Sequence, residues 1–200
     1  MRNLLFETLE TILLAVAIFL VLHASIQNFK VEGPSMVPHL NHGEYLLVNK
    51  LVYRGFSLND IYNVVPGLSS DSEDVFYPFH QPQRDEVLVF QFPHDPDRDF
   101  VKRIIGIPGD VIAIRGGRVF RNGLYLEEPY VTEKGNTHMA PVRVPSSNYF
   151  VLGDNRPNSN DSRTWSFMFV PHNAIVGKAW HSFRLPSWLP SDLPFFNRAA

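Results

Sequence analysis

Apolar residues occur along this chain in two textures. From Ile12 to Leu22 the run ILLAVAIFLVL has no polar side chain, and Leu4, Leu5, Phe6 and Leu9 carry the apolar character upstream. A helix from about Leu4 to Ile26 would extend roughly 33 Å, enough to cross the hydrocarbon of a bilayer. Glu7 and Glu10 would then lie near the headgroups. After Gln27 the long run gives way to short apolar segments separated by turn residues. Phe29-Lys30-Val31 alternates and reads as a strand leaving the membrane. Glu44 to Tyr53 reads as one or two strands, and Glu86 to Phe92, Asp99 to Ile107 and Val111 to Ile114 as further ones. Val119-Phe120-Arg121 and Leu124-Tyr125-Leu126 flank Asn122-Gly123, a signal for a type I′ hairpin. Asn148 to Leu152 and Ala174 to Phe183 complete the set. No segment after Gln27 has a helical period, so the pattern predicts a mostly β protein: an all-β domain of short antiparallel strands with one N-terminal transmembrane helix.

The expected organisation is an anchor helix over residues 1–27, a β domain over 28–185 and a Pro- and aromatic-rich tail over 186–200. Within the domain, 66–83 is rich in Pro, Ser and Asp and reads as a surface loop or insertion. The tail holds Trp188, Leu189, Phe195 and Phe196 among prolines, and could meet a membrane interface or pack along the domain. The first segment lacks the marks of a cleavable leader. Arg2 is the only basic side chain before the run, two glutamates follow it, and His23-Ala24-Ser25 is a poor Ala-x-Ala site. An uncleaved anchor is expected. Arg2 and the terminal amine are offset by the glutamates, so charge alone does not orient the helix. A short tail inside and the whole domain outside is the simpler topology.

Composition narrows the chemistry. The net charge of -2 carries no basic field that would advertise nucleic acid as a partner. Cysteine is absent, which removes disulfides, thiolate metal sites and a cysteine nucleophile together. The eight histidines show no HExxH spacing, and no metal or cofactor is expected.

Three segments could carry catalysis. In Gly33-Pro34-Ser35-Met36-Val37-Pro38 a serine sits on a constrained turn where backbone amides can converge, presenting a hydroxyl and an oxyanion hole together. A structural turn serine is the plainer reading of that segment alone. In Phe100 to Ile105 the period of two puts Lys102 on one face with Phe100 and Ile104. Burial there would lower the lysine pKa and make it a base; a lysine covering the apolar face with its stem is the alternative. The third segment, GDNRPNSNDSR from Gly153 to Arg163, is either a solvated loop or a hydrogen-bonded network propping up a site, with Asp154, Arg156, Asp161 and Arg163 available for ion pairs. His39 and His42 lie close enough to Ser35 in sequence for a Ser-His-Asp triad to be considered as well.

Taken together and in order, these segments resemble type I signal peptidases, the serine-lysine leader peptidases of bacterial membranes. An anchor is followed by GPSMVPHL, GEYLLVNKLVY, RDEVLVFQFP, VKRIIGIPGD and GDNRPNSNDSR, and the similarity runs from about Phe29 to Trp180. The resemblance implies a signal-peptidase-like β fold and a membrane-bound serine endopeptidase that removes signal peptides from exported preproteins after Ala-x-Ala-like sites. It implies Ser35 as nucleophile, Lys102 as general base and Ser159 as the serine that orients the lysine amine. Arg103 with Asp154, and Asp161 with Arg163, match supporting ion pairs. Phe29, Val31, Met36 and Val101 match positions lining shallow pockets for small side chains. The implied partners are preprotein signal peptides and the lipid bilayer, with the catalytic domain on the extracytoplasmic side of the cell membrane.

Two positions depart from the family pattern. Gly33 stands where some members carry a hydroxyl that donates to the oxyanion, and Pro157 where an acidic or polar residue is frequent. Two other functions fit the same architecture: a membrane-anchored β domain that binds proteins without catalysis, and a serine-lysine hydrolase that cleaves itself or a regulator. The first would lack a catalytic residue, and the second usually carries a DNA-binding domain.

Overall fold

In the computed structural model, which describes residues 2–57, 75–76, 79–186 and 188, the apolar run forms one helix, α1 (Arg2–Ser25). Its 24 residues extend about 36 Å. The stretch from Phe6 to His23 is long and apolar enough to cross a membrane, and none of it is covered by the rest of the protein. Apolar side chains point outward on every side, as lipid requires and water would penalise.

Thirteen strands follow among the described residues. Seven of them, β1 (Ile26–Lys30), β2 (Tyr45–Asn49), β5 (Val87–Phe92), β6 (Asp95–Gly106), β11 (Asn148–Leu152), β12 (Val170–Pro171) and β13 (Ile175–Phe183), form one sheet in the order β1-β2-β13-β5-β6-β11-β12. A second sheet has the order β10-β7-β8-β9, built from β7 (Val111–Arg115), β8 (Arg118–Arg121), β9 (Leu124–Tyr125) and β10 (Met139–Arg143). The short β3 (Phe56–Ser57) and β4 (Val75–Phe76) pair with each other. Every pairing is antiparallel, so the fold is the mostly β one expected from the pattern.

Several local expectations have direct counterparts. Asn122 and Gly123 have φ of 55° and 83°, the two positive values of a type I′ turn. β11 coincides with the apolar run at Asn148, and β6 begins four residues before the expected strand at Asp99. Glu44 to Tyr53 supplies a single strand. The Asn49 side chain ends it by accepting the N–H groups of Leu51 and Val52. Most of the 66–83 loop and of the 186–200 tail lies outside the described residues. Of the tail's aromatic residues Trp188 is described, and it is exposed.

Among the described residues, three buried clusters hold the sheets. The one that matters for the site joins Phe29, Val31, Met36, Leu40, Val87, Val89 and Val101. It packs the segment after β1 against β5 and β6, and so carries the Ser35 turn onto the sheet. A second cluster contains Leu88, Phe90, Ile104 and Trp165, with Phe100 packed against it. The third lies between β6, β7 and β11 around Ile105, Ile112 and Phe150.

Candidate active site

The site forms where the Ser35 turn, β6 and the loop after β11 meet. The turn begins at Gly33, whose φ of 83° suits glycine, and closes with the Val37 N–H donating to the Pro34 carbonyl at 3.1 Å. Apolar anchors follow directly, since Met36 and Leu40 are buried. Ser35 is thereby left at the surface of the core with its hydroxyl facing β6.

Lys102 lies in the middle of β6, paired with Leu88 of β5. Its ammonium nitrogen is 2.9 Å from Ser35 Oγ and 2.9 Å from the Val101 carbonyl oxygen. It also stands 5.3 Å from the centre of the Phe100 ring, so the face expected from the period of two is the face observed. Lys102 is only 4% exposed. Burial pushes its pKa down to about 8, against the opposing pull of the Asp161 and Asp154 carboxylates. His39 is exposed and His42 accepts the Gly33 N–H on Nδ1 at 3.1 Å. The group that meets the serine hydroxyl is the lysine.

The loop from Gly153 to Arg163 is a braced support. The register of β11 on β6 sets Leu152 opposite Arg103, and the chain continues beside Lys102. Arg103 grips Asp154 with two hydrogen bonds of 2.8 and 2.7 Å, donates to the Asp85 carbonyl at 2.8 Å and stacks over the Tyr130 ring. Asp161, fully buried, accepts the Gly153 N–H at 3.0 Å, the Ser159 hydroxyl at 2.7 Å and Arg163 Nε and Nη2 at 2.8 Å each. Arg163 Nη2 also reaches the Arg156 carbonyl at 2.7 Å. Both expected ion pairs are therefore formed. Ser159 donates its hydroxyl to Asp161, and among the described residues Lys102 makes its hydrogen bonds to Ser35 and Val101 rather than to Ser159.

Gly153 is the tightest point. A Cβ there would collide with Ser159 Oγ and with the Ser35 carbonyl oxygen, so only glycine lets the loop and the Ser35 turn touch. Asn155 completes the junction, its N–H donating to the Ser35 carbonyl at 3.0 Å and its side-chain amide to the Pro34 carbonyl at 3.0 Å.

A cleft of about 360 Å³ opens over Ser35 and Lys102. Glu32, Asp97, Arg98, Asp99, Phe100, Val101, Asn158 and Asn160 also line it. Of the four residues expected to form small-side-chain pockets, Val101 lies on the cleft wall. Phe29, Val31 and Met36 share its buried cluster and are almost wholly covered.

A family model described as signal peptidase, peptidase S26, matches residues 5–184. The chain belongs to that family. A signal peptidase I from Pseudomonas aeruginosa is 32% identical over 86% of this chain and 70% of its own length. A probable signal peptidase I from Synechocystis is 31% identical over 88% and 81%, and a signal peptidase I from Bacillus licheniformis 34% identical over 87% and 93%. Membership of the signal peptidase family supports a peptidase function, and the apolar α1 supports placement in a membrane with a single pass.

Some contributors to the candidate site have no mark in the sequence. Glu128 is buried against Arg156, with hydrogen bonds of 3.2 and 2.5 Å, and Arg156 Nε donates to the Gly153 carbonyl at 2.9 Å. The arginine stands out inside the polar loop. Its carboxylate partner is 28 residues upstream with no pattern to announce it. Asn155 lies within the loop motif, but only its contacts with Pro34 and Ser35 give it a task.

Proposed function

We propose that this chain is a membrane-bound serine endopeptidase that removes N-terminal signal peptides from exported preproteins after small residues, with Ser35 as nucleophile and Lys102 as base. The observation that carries this reading is the 2.9 Å approach of Lys102 Nζ to Ser35 Oγ on a lysine buried from water.

A pKa of about 8 leaves roughly a tenth of the lysine neutral at pH 7, whereas the ordinary lysine value of 10.5 would leave about one in three thousand. In the neutral form the hydrogen bond runs from the serine hydroxyl to the Nζ lone pair. One amine hydrogen stays on the Val101 carbonyl and aims the nitrogen. As Ser35 Oγ bonds to the scissile carbonyl carbon, its proton passes to Nζ and the carbonyl oxygen becomes an oxyanion. The ammonium protonates the leaving amine, an acyl-enzyme remains, and neutral Lys102 then takes a proton from the water that hydrolyses it.

The surrounding groups act on this pair. Asp161 and Asp154 temper the fall in the lysine pKa. Asp161, Arg163 and Ser159 hold the loop against the turn, and Arg103 with Asp154 fixes the strand end next to Lys102. Val101, with Phe29, Val31 and Met36 behind the wall, shapes an apolar surface suited to small side chains. Helix α1 holds residues 28–185 at the extracytoplasmic face, where a preprotein's own signal helix lies in the same bilayer. Confinement in one membrane raises the effective concentration of the two partners.

The purified chain in detergent or vesicles, incubated with a preprotein bearing one Ala-x-Ala site, tests the reading. A product whose new N-terminus follows that site supports it; an intact preprotein, or cleavage elsewhere, overturns it.

A further inference from the structure

We infer that Asn155 is a positioning residue for the oxyanion hole, acting through the Ser35 backbone N–H. This rests on the reading of Ser35 as nucleophile.

The Pro34 carbonyl and the Ser35 N–H belong to the same peptide group, which is planar and trans. They point in opposite directions, so a group that holds the carbonyl also aims the N–H. Two donors hold it: the Val37 N–H from within the turn at 3.1 Å, and Asn155 Nδ2 from the opposing loop at 3.0 Å. The amide of Asn155 is itself oriented, because its Oδ1 accepts Asn158 Nδ2 at 3.2 Å and leaves Nδ2 for Pro34. The next peptide is held as well, by the Asn155 N–H on the Ser35 carbonyl at 3.0 Å. Both planes that flank the nucleophile are thus referred to one residue of the braced loop. Among the described residues the Ser35 N–H has no acceptor, which leaves it free for a developing oxyanion.

Gly33 makes this aim matter. With no side-chain donor two positions before the nucleophile, the hole relies on main-chain N–H groups. A fixed donor stabilises an oxyanion far better than one that must reorient during the reaction. The Asn155 N–H bond to Ser35 survives any substitution except proline, so side-chain changes isolate the Pro34 contact.

The test compares Asn155→Ala and Asn155→Asp with the wild type. The aspartate is isosteric but presents a carboxylate to the Pro34 carbonyl. The probes are a peptide ending in alaninal, which Ser35 converts to a hemiacetal with an oxygen in the hole, and the same peptide ending in alaninol, which cannot form that bond. Transition-state stabilisation and aldehyde affinity should fall together. We expect kcat to drop about tenfold or more with KM little changed, aldehyde affinity to drop by a similar factor, and alcohol affinity to hold. A loss of aldehyde and alcohol affinity by the same factor, or aldehyde binding equal to wild type, overturns the inference. Should the alanine variant fail to fold, the aspartate variant decides alone, its thermal melt serving as the check on folding. An aldehyde that binds the wild type no better than the alcohol removes the nucleophile reading itself, and this inference with it.

Discussion

Lys102 Nζ stands 2.9 Å from Ser35 Oγ although 67 positions separate the two residues in the chain. The contact joins a turn to the middle of a central strand, and no other basic side chain meets the Ser35 hydroxyl among the described residues. Ser35→Ala and Lys102→Ala should each reduce preprotein cleavage by about a thousandfold or more, because in the proposed mechanism the pair acts as a unit. Lys102→Arg should not rescue, since a guanidinium does not release a proton in a protein. Product formation measured by gel shift checks all three, and cleavage surviving either alanine change would remove the dyad.

The buried lysine sets a pH profile. In the proposed mechanism its active form is the neutral one, so kcat/KM should rise about tenfold per unit below the pKa of about 8 and level off above it. Steady-state cleavage of a short peptide between pH 6 and 10 reads this directly. A profile already flat at pH 6 would mean a different base.

The same burial costs stability. Lys102 has a pKa of about 8 when folded and near 10.5 when unfolded. Between those values the unfolded chain binds more protons, so wild-type stability rises with pH there; below pH 8 the full penalty, on the order of 3 kcal/mol, is present. Lys102→Met removes it. The variant should melt higher than wild type at neutral pH, and the gap should shrink as pH approaches 10.5.

Gly153→Ala should damage activity more than folding. The new methyl would meet Ser159 Oγ and the Ser35 carbonyl oxygen, so both the Ser159 side chain and the Ser35 turn would have to give way. We expect kcat/KM to fall by about a hundredfold, as small displacements at a reacting centre do, while circular dichroism stays unchanged. Near-normal kcat/KM would show that the turn yields without moving the hydroxyl.

Arg156 and Glu128 form an almost wholly buried ion pair. Arg156→Met strands the carboxylate and should cost about 3–5 kcal/mol in denaturant unfolding. Arg156→Met combined with Glu128→Met should recover part of that loss, because no unpaired charge remains.

Much of this protein is written locally. The unbroken apolar run dictates a helix exposed to an apolar solvent, because every side of it repels water. Alternation places Lys102 with Phe100 and Ile104, and Asn122-Gly123 can supply two positive φ values where most residues cannot. These depend on neighbours in sequence, so they can be read from it. The short edge strands β10 and β12, and β3 with β4, have no such mark, since two to five residues of mixed polarity become strands only when a partner offers a ladder. The site divides the same way. The residue types and order of the Ser35, Lys102 and Gly153 to Arg163 segments are legible, but each alone reads as well as a turn, a snorkelling lysine or a solvated loop. Tertiary packing sets the geometry that none of them shows alone. It buried the lysine, which lowered its pKa, and seated Ser159 on Asp161. It also brought Glu128 to Arg156 and pressed Gly153 and Asn155 against the Ser35 turn. Desolvation and contact between distant segments are properties of the folded surface and have no local signature in a chain.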